Sequence, residues 1–442
     1  MVSLPILIVL FAIVSVARAQ TTCVGAATAL RADFRADSPA LTVRASPHFS
    51  WVVPASASGA DAAQAAYRIV VAPLAGGAPP VWDSGRVASN LSVAVPFGGA
   101  AGLAPGAAFS WSVSVWLGDG SVCPQSQSAS FVVALGAAGW APGAAWIVAS
   151  TPAAANQFSF LRREVPAPAS PDDVVLAVLH ATALTDPFLL GFRAYVGGVL
   201  VGVGPGRGEA PVWGGDGAFR DLPYVSYDVT AAVRASSGPA SNLSLAAVAI
   251  GSLRSNASRG VLLQLDTHFA DGSVTMVATD TSWDAFDADV YLRPTPDSSG
   301  QTAYQHSLEN TDARLEPVDW RAAGFAGGGP SWAPAIAVQR AADAGPAAGL
   351  TPTMAAPLEL TPLRAPTRVE ALSPTLGFFD FGREFQGGLV LSVAGGGADL
   401  AGARITLVAG EHVRTNLTVD VSWGENDPPP PPPPNPQRQS SN

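Results

Sequence analysis

The chain has 442 residues, 48% of them hydrophobic and only 13% charged, with 45 Gly, 39 Pro and a formal net charge of −10. That length allows two to four domains with large cores, the Gly and Pro content favours turn-rich β architecture, and an acidic surface repels nucleic acid. All 24 basic residues are Arg, which excludes Schiff-base, pyridoxal-phosphate, P-loop and kinase lysine chemistry.

The chain opens with an apolar run over residues 4–16, followed by Ala17-Arg18-Ala19. A short apolar core ending in A-x-A reads as a secretory signal, here spanning 1–19, and is too short to cross a bilayer. No basic residue precedes the run. No later apolar stretch reaches spanning length, so no membrane span is expected in the mature chain. Four N-x-[ST] triplets, at Asn90, Asn242, Asn256 and Asn416, offer glycan acceptors, though some such triplets arise by chance. The two cysteines, Cys23 and Cys123, would meet an oxidising compartment. A disulfide between them would close a long loop and contribute about 4 kcal/mol in the chain-entropy account; two separate buried thiols is the alternative. These features together point to a secreted, extracellular protein.

The first folded region, 20–136, holds "YRIVVAPL" (67–74) and "FSWSVSVWLGDG" (109–120). Both alternate apolar and polar residues as half-buried strands do, with Phe109, Trp111, Val113 and Val115 on one face. The Asp-Gly at 119–120 suits a hairpin turn, since it tolerates positive φ. Several short strands in this span predict a small β-sandwich. The Gly/Ala/Pro-rich "LGAAGWAPGAAW" (135–146) reads as a linker.

The second region, 145–340, carries "VVLAVLHATAL" (174–184), "FRAYVGGVLVGVG" (192–204), "YVSYDVT" (224–230), "LSLAAVAIGSL" (243–253) and "GVLLQLDTHFADGSVTMVAT" (260–279), the last a hairpin around Asp271-Gly272. Long strands with large loops predict a jelly roll. After an Ala/Pro-rich joint (341–357), a third region, 350–424, offers strands in "RVEALSPTLGFFDFG" (368–382), "GGLVLSVAG" (387–395) and "ARITLVAGEHV" (403–413). The prediction is an all-β chain of three consecutive β-sandwich domains, the third incomplete, followed by a proline-rich disordered tail at 425–442. Polyproline forms a stiff solvated helix that cannot pack as a strand.

Several motifs fall short. "GVGPGRGE" (202–209) matches no dinucleotide fingerprint, "DFG" (380–382) lacks the other kinase parts, and no G-x-S-x-G occurs. His48, His180, His268, His306 and His412 show no metal-ligand spacing, so no metal site and no cofactor is expected. Glu309, Asp312, Glu316, Asp380, Glu384 and Glu411 are carboxylates that could pair across a cleft as glycoside hydrolysis requires, but acidic residues are mostly just solvated. Eleven Trp in so uncharged a chain suggest sugar-stacking faces. Trp51, Trp111 and Trp146 read as core. Trp213, in "APVWGGDGAFRD", and Trp320, in "EPVDWRAAGF", are the candidate carbohydrate contacts. Asp216 beside Trp213 is of a type that binds sugar hydroxyls or Ca²⁺.

Taken together, "PHFSW" (47–51), "AYRIVVA" (66–72), "VWDSGRVAS" (81–89) and "FSWSVSVW" (109–116) resemble the N-terminal fibronectin-like domain of the α-L-rhamnosidases with an (α/α)₆ barrel. "YVSYDVT" (224–230) and "ENTDARLEPVDWRAAGF" (309–325) resemble segments of that family's second domain, and "FFDFGREFQGGLVLSV" (378–393) its concanavalin-like third. The resemblance covers most of residues 28–415. Departures are "GSLRSNASRG" (251–260) in place of the family's G-D-G-W-Y, Gly197-Gly198 in place of N-G, and Arg383-Glu384 in place of Gln-Asn. The family's catalytic acid and base sit in the barrel, which has no counterpart here, so no catalytic residue is carried over. The resemblance implies the non-catalytic N-terminal part of an inverting glycoside hydrolase acting on terminal L-rhamnose, with a rhamnose-containing carbohydrate as partner. The rival readings are a free-standing lectin-like protein or a cell-wall protein, and the tail is either a true spacer or the mark of an incomplete product.

Overall fold

The computed structural model describes residues 23–36, 38–57, 63–150, 157–184, 191–204, 222–250, 260–291, 310–325, 331–338, 350–353, 357–358, 364–383, 390–393, 404–409, 412–413, 417 and 419–420. The expected signal segment 1–19 and the tail 425–442 lie outside them. The chain divides into two compact units, 1–359 and 360–442.

The first unit begins with strands β1 (Thr28–Ala32), β2 (Ala40–Val43), β3 (His48–Val52), β4 (Gln64–Pro73), β5 (Trp82–Asp83), β6 (Val87–Ala88), β7 (Val95–Pro96), β8 (Ala108–Leu117) and β9 (Ala129–Val133). One sheet runs β1-β3-β7 and the other β2-β9-β8-β4-β5, with β6 also on β4. The alternation in β8 does what its pattern predicts: Phe109, Trp111, Val113 and Val115 point inward onto Phe49, Ile69, Val71 and Phe131. The turn after β8 closes through Leu117 N–H to Ser121 O at 3.0 Å, with Gly120 at φ +90°. Cys23 and Cys123 are joined by a disulfide across this sandwich.

A second sandwich follows, with β10 (Trp146–Val148), β11 (Ser159–Pro166), β12 (Val174–Leu184), β13 (Phe192–Val196), β14 (Val199–Gly204), β15 (Leu222–Asp228), helix α1 (Thr230–Ser236), β16 (Asn242–Ala249), β17 (Gly260–Phe269), β18 (Val274–Ala278), β19 (Asp284–Asp287), β20 (Trp332–Pro334), β21 (Ile336–Val338) and β22 (Leu350–Pro352). One sheet is ordered β21-β10-β17-β12-β15-β22 with β18 on β17, the other β14-β13-β16-β11-β19-β20. Between them lies a core of Leu161, Leu179, Phe192, Val225, Tyr227, Leu245, Leu263 and Trp283. The β17–β18 hairpin turns at Asp271-Gly272, where Gly272 N–H reaches Phe269 O at 2.9 Å.

Two local expectations need correction. The stretch 135–146 is not a free linker: Leu135, Trp140, Ala144 and Trp146 are buried together with Leu184, Leu222, Tyr224 and Leu262. Its small residues let the backbone lie close against the sheet, so composition that usually signals mobility here permits tight packing. Leu350–Pro352, placed by pattern at the start of the third region, pairs in parallel with β15 at Leu222–Tyr224 and so completes the second sandwich.

In the second unit, β23 (Arg368–Ser373) pairs antiparallel with β24 (Leu376–Asp380), and β25 (His412–Val413) with β26 (Val419–Asp420). The described structure is all-β apart from short helical turns and α1. Among the described residues no helix is long and apolar enough to cross a membrane.

Candidate functional site

Side chains alternate across a strand, and in β12, β15 and β17 both resulting faces are buried. The inward face carries the apolar core. The outward face carries Leu176, Val178, His180 and Thr182 from β12, Gln264, Asp266 and His268 from β17, and Tyr224 and Ser226 from β15, all buried. Register sets them side by side, with His268 opposite Leu176, Asp266 opposite Val178, and Gln264 opposite His180. The first sandwich covers this face through Ala108, Val132, Leu41 and Leu74, packed on Leu176 and Val178.

The covered face is joined by specific hydrogen bonds. Ala141 N–H donates to Gln264 Oε1 at 2.6 Å, and Gln264 Nε2 donates to Gly139 O at 3.1 Å and Asp266 Oδ1 at 2.8 Å. Leu135 N–H donates to Tyr224 Oη at 2.9 Å; burial pushes that phenol up to about 12. Farther along, Gly76 N–H reaches Ala270 O at 3.1 Å, and Arg35 Nη2 donates to Thr353 O at 3.0 Å.

At the centre sits an ionisable cluster. His180 Nδ1 and Ser226 Oγ are 2.7 Å apart, and His180 Nε2 lies 3.6 Å from Asp266 Oδ2. His180 Nε2, His268 Nε2 and Trp140 Nε1 are buried with no hydrogen-bond partner. Burial pushes the His268 imidazole below 6.5, with Asp266 opposing and His180 adding to the effect. Serine, histidine and aspartate thus lie in the order a nucleophile relay uses, but His180 Nε2 makes no hydrogen bond to Asp266. Ser226, at 4% exposure, is sealed from any substrate, so the relay is structural. Among the described residues no group of three His, Cys, Asp or Glu side chains is arranged to hold a metal ion.

Where the seam reaches the surface it opens into a cleft of about 490 Å³, lined by Leu74 and Ser130 of the first sandwich and Leu176, Asp228, Thr230 and Arg234 of the second. Asp228 Oδ1 accepts from Thr230 N–H at 2.9 Å and from Thr230 Oγ1 at 2.6 Å. Arg234 holds Val174 O through Nε at 3.0 Å and Nη2 at 2.6 Å.

The residues singled out from sequence fare differently. Trp213 and Asp216 lie outside the described residues. Trp320 does not offer a sugar-stacking face: it is 0% exposed. One neighbour is Phe160, stacked at 4.3 Å, and the Arg321 guanidinium lies 4.8 Å from the ring centroid. The segment 310–325 folds over the outer face of the β11–β16 sheet, which buries that ring. Nearby Trp332 is half-buried, stacked on Phe286 at 5.4 Å; its short strand gave no periodic signal. Asp312 pairs with Arg314, and Glu316 with Arg321, so neither is a free acid. Asp380 Oδ1 accepts from Gly382 N–H at 2.7 Å. Glu309, Glu384, Glu411 and His306 lie outside the described residues, as do Asn256 and Asn416. Asn90 and Asn242 are exposed, and Asn242 Nδ2 donates to Glu164 at 3.2 Å. Sequence reading missed the meeting of His180 with Asp266 and His268; the available signal was a polar residue at every second position of "LLQLDTH".

Residues 27–137 match the family described as the Rha78A-like, N-terminal immunoglobulin domain. An α-L-rhamnosidase of Streptomyces avermitilis is 40% identical over 111 residues, which is 24% of this chain and 10% of that protein. The solved α-L-rhamnosidase of Dictyoglumus thermophilum superposes with a TM-score of 0.57 at 18% identity, over 82% of this chain and 39% of that one. That of Aspergillus terreus gives 0.56 at 19% identity, over 81% and 38%. The chain therefore spans well under half the length of these relatives, and its first sandwich is of the rhamnosidase N-terminal type.

Proposed function

We propose that this chain is the non-catalytic, N-terminal β-sandwich part of a secreted α-L-rhamnosidase-like glycoside hydrolase that acts on terminal L-rhamnose. The observation that carries the reading is the 27–137 match to the rhamnosidase immunoglobulin domain; the similarity of fold to two rhamnosidases extends beyond that domain. Glycoside hydrolysis needs two carboxyl groups flanking an open position for substrate and water. The buried carboxylates of the described residues have structural duties instead: Asp33 holds Arg44 and the His48 backbone, and Asp266 holds Gln264. The pure 442-residue protein should leave a chromogenic α-L-rhamnoside uncleaved, and measurable turnover would overturn the non-catalytic reading.

The cleft favours a second role, carbohydrate binding. Asp228 and Arg234 cancel in charge, and with Ser130 and Thr230 they line the cleft with polar groups beside Leu74 and Leu176. Trp213 and Asp216 stay within this proposal as stacking and polar contacts, with a Ca²⁺ ion at Asp216 as one variant. Titration calorimetry with rhamnose-containing oligosaccharides should give saturable heat that Asp228→Ala and Trp213→Ala reduce. No heat with any such glycan would remove the binding role while leaving the family reading intact.

A further inference from the structure

We infer that His180, Asp266 and His268 make the seam between the two sandwiches an acid-sensitive joint, which loosens once both imidazoles carry a proton.

His180, Asp266 and His268 are 1%, 3% and 5% exposed, and water can solvate none of them well. Neighbouring strands leave little else to help. On the β18 side, Met276 and Val274 face Asp266 and His268 across the ladder, and on the β12 side Val178 and Leu176 do so. From β15 come Ser226 and Tyr224, the latter neutral well beyond physiological pH because burial pushes it up. The overlying segment contributes Trp140, Gly139 and Ala141, none ionisable. Among the described residues, the charged groups that act on His268 are Asp266 and His180.

One carboxylate can neutralise one imidazolium, and His180 Nε2 at 3.6 Å from Asp266 is placed for it. The second proton has no counter-charge and brings two like charges into a low-dielectric space, which is strongly unfavourable. Opening the seam relieves this by admitting water. His268 Nε2 is buried without a hydrogen-bond partner, so a proton added there in the closed form meets no acceptor within hydrogen-bond distance among the described residues. The direction follows from linkage. A histidine held below its ordinary value of 6.5 binds protons more readily when exposed, so closed-state stability is full above that value and falls as pH drops through it. Aspartate and glutamate groups at ordinary values stay ionised over the same window, which separates this effect from acid denaturation.

Amide hydrogen exchange on the whole 442-residue protein, corrected for the intrinsic pH dependence of exchange, tests the joint. Protection of 135–146, whose Leu135 and Ala141 amides are held by Tyr224 and Gln264, should fall about tenfold or more from pH 7.5 to 5.5. Protection in β8 (Ala108–Leu117), inside the first sandwich, should hold constant. His268→Gln should abolish most of the fall, and His180→Gln should reduce it. Asp266→Asn, which removes this counter-charge, should leave the onset of the fall in place and make the fall larger. Equal protection of 135–146 at both pH values in the unaltered protein would overturn the inference without any variant. So would an undiminished fall in His268→Gln.

Discussion

Gln264 is the side chain on which the union of the two sandwiches can be tested most directly. It is 0% exposed, and its amide makes all three of its hydrogen bonds within the seam, to Ala141 N–H, Gly139 O and Asp266 Oδ1. Gln264→Ala removes the partners of a backbone donor, a backbone acceptor and a buried carboxylate at one stroke. Leaving a buried polar group unsatisfied costs about 1–3 kcal/mol, more for a charged one. Gly139 and Ala141 are only half-buried, so water recovers part of their loss, while Asp266 at 3% exposure recovers little. The expected destabilisation is therefore about 3–5 kcal/mol, set chiefly by Asp266. Urea denaturation at pH 7.5, followed by far-UV circular dichroism, reads it as a lower midpoint. If the seam opens before the sandwiches unfold, the variant curve also broadens and loses two-state character. A loss below about 1 kcal/mol would refute the claim that this amide ties the segment 135–146 to the sheet.

Trp320→Ala should act on stability, lowering it by about 3–5 kcal/mol as a fully buried Trp leaves a cavity, and a variant that melts with the unaltered protein would show the ring is not core. Asp33 gives a pH prediction of the opposite sign to the histidine joint. Burial pushes its carboxyl up, but hydrogen bonds from the Arg44 side chain and from the Arg44 and His48 backbones outweigh this and hold it below 3.8. Its contribution is thus full above that value and lost as pH falls below it. Melting temperatures between pH 5 and 2 should drop less steeply in Asp33→Asn than in the unaltered protein, from a lower starting point, and parallel curves would count against the assignment.

Much of the fold is legible in the sequence where one face of a strand meets water. The alternation in β8 and the Asp-Gly turns at 119–120 and 271–272 follow from period-two patterning and from the left-handed backbone that Gly120 and Gly272 adopt. The seam was hidden for a physical reason. A period of two separates two faces but does not say which is wet, and Gln264, Asp266 and His268 are buried against another sandwich. The near-continuous apolar run "VVLAVLHATAL" is buried on both faces, and one strand cannot announce what covers it. Trp320 was ambiguous for the same reason: the overlay of 310–325 on β11 and β16 is a long-range contact that local sequence does not encode.

The chemistry of the seam also decides how the two sandwiches can be studied. An apolar seam alone, such as Leu41 and Leu74 on Leu176 and Val178, would tolerate sliding, because hydrophobic contact is non-directional. Gln264 and Tyr224 remove that freedom by requiring the backbone groups of Leu135, Gly139 and Ala141 at fixed positions. Polar groups committed in this way are costly when half the arrangement is missing. A second sandwich cut free at 145 would lose the covering of Leu176, Val178, Leu184 and Leu262 together with the partners of Gln264 and Tyr224. It would expose an apolar patch interrupted by ionisable groups, prone to self-association. Absence of sugar binding by such a fragment would then say nothing about the cleft, since Leu74 and Ser130 come from the first sandwich. Binding must be measured on a chain that carries both.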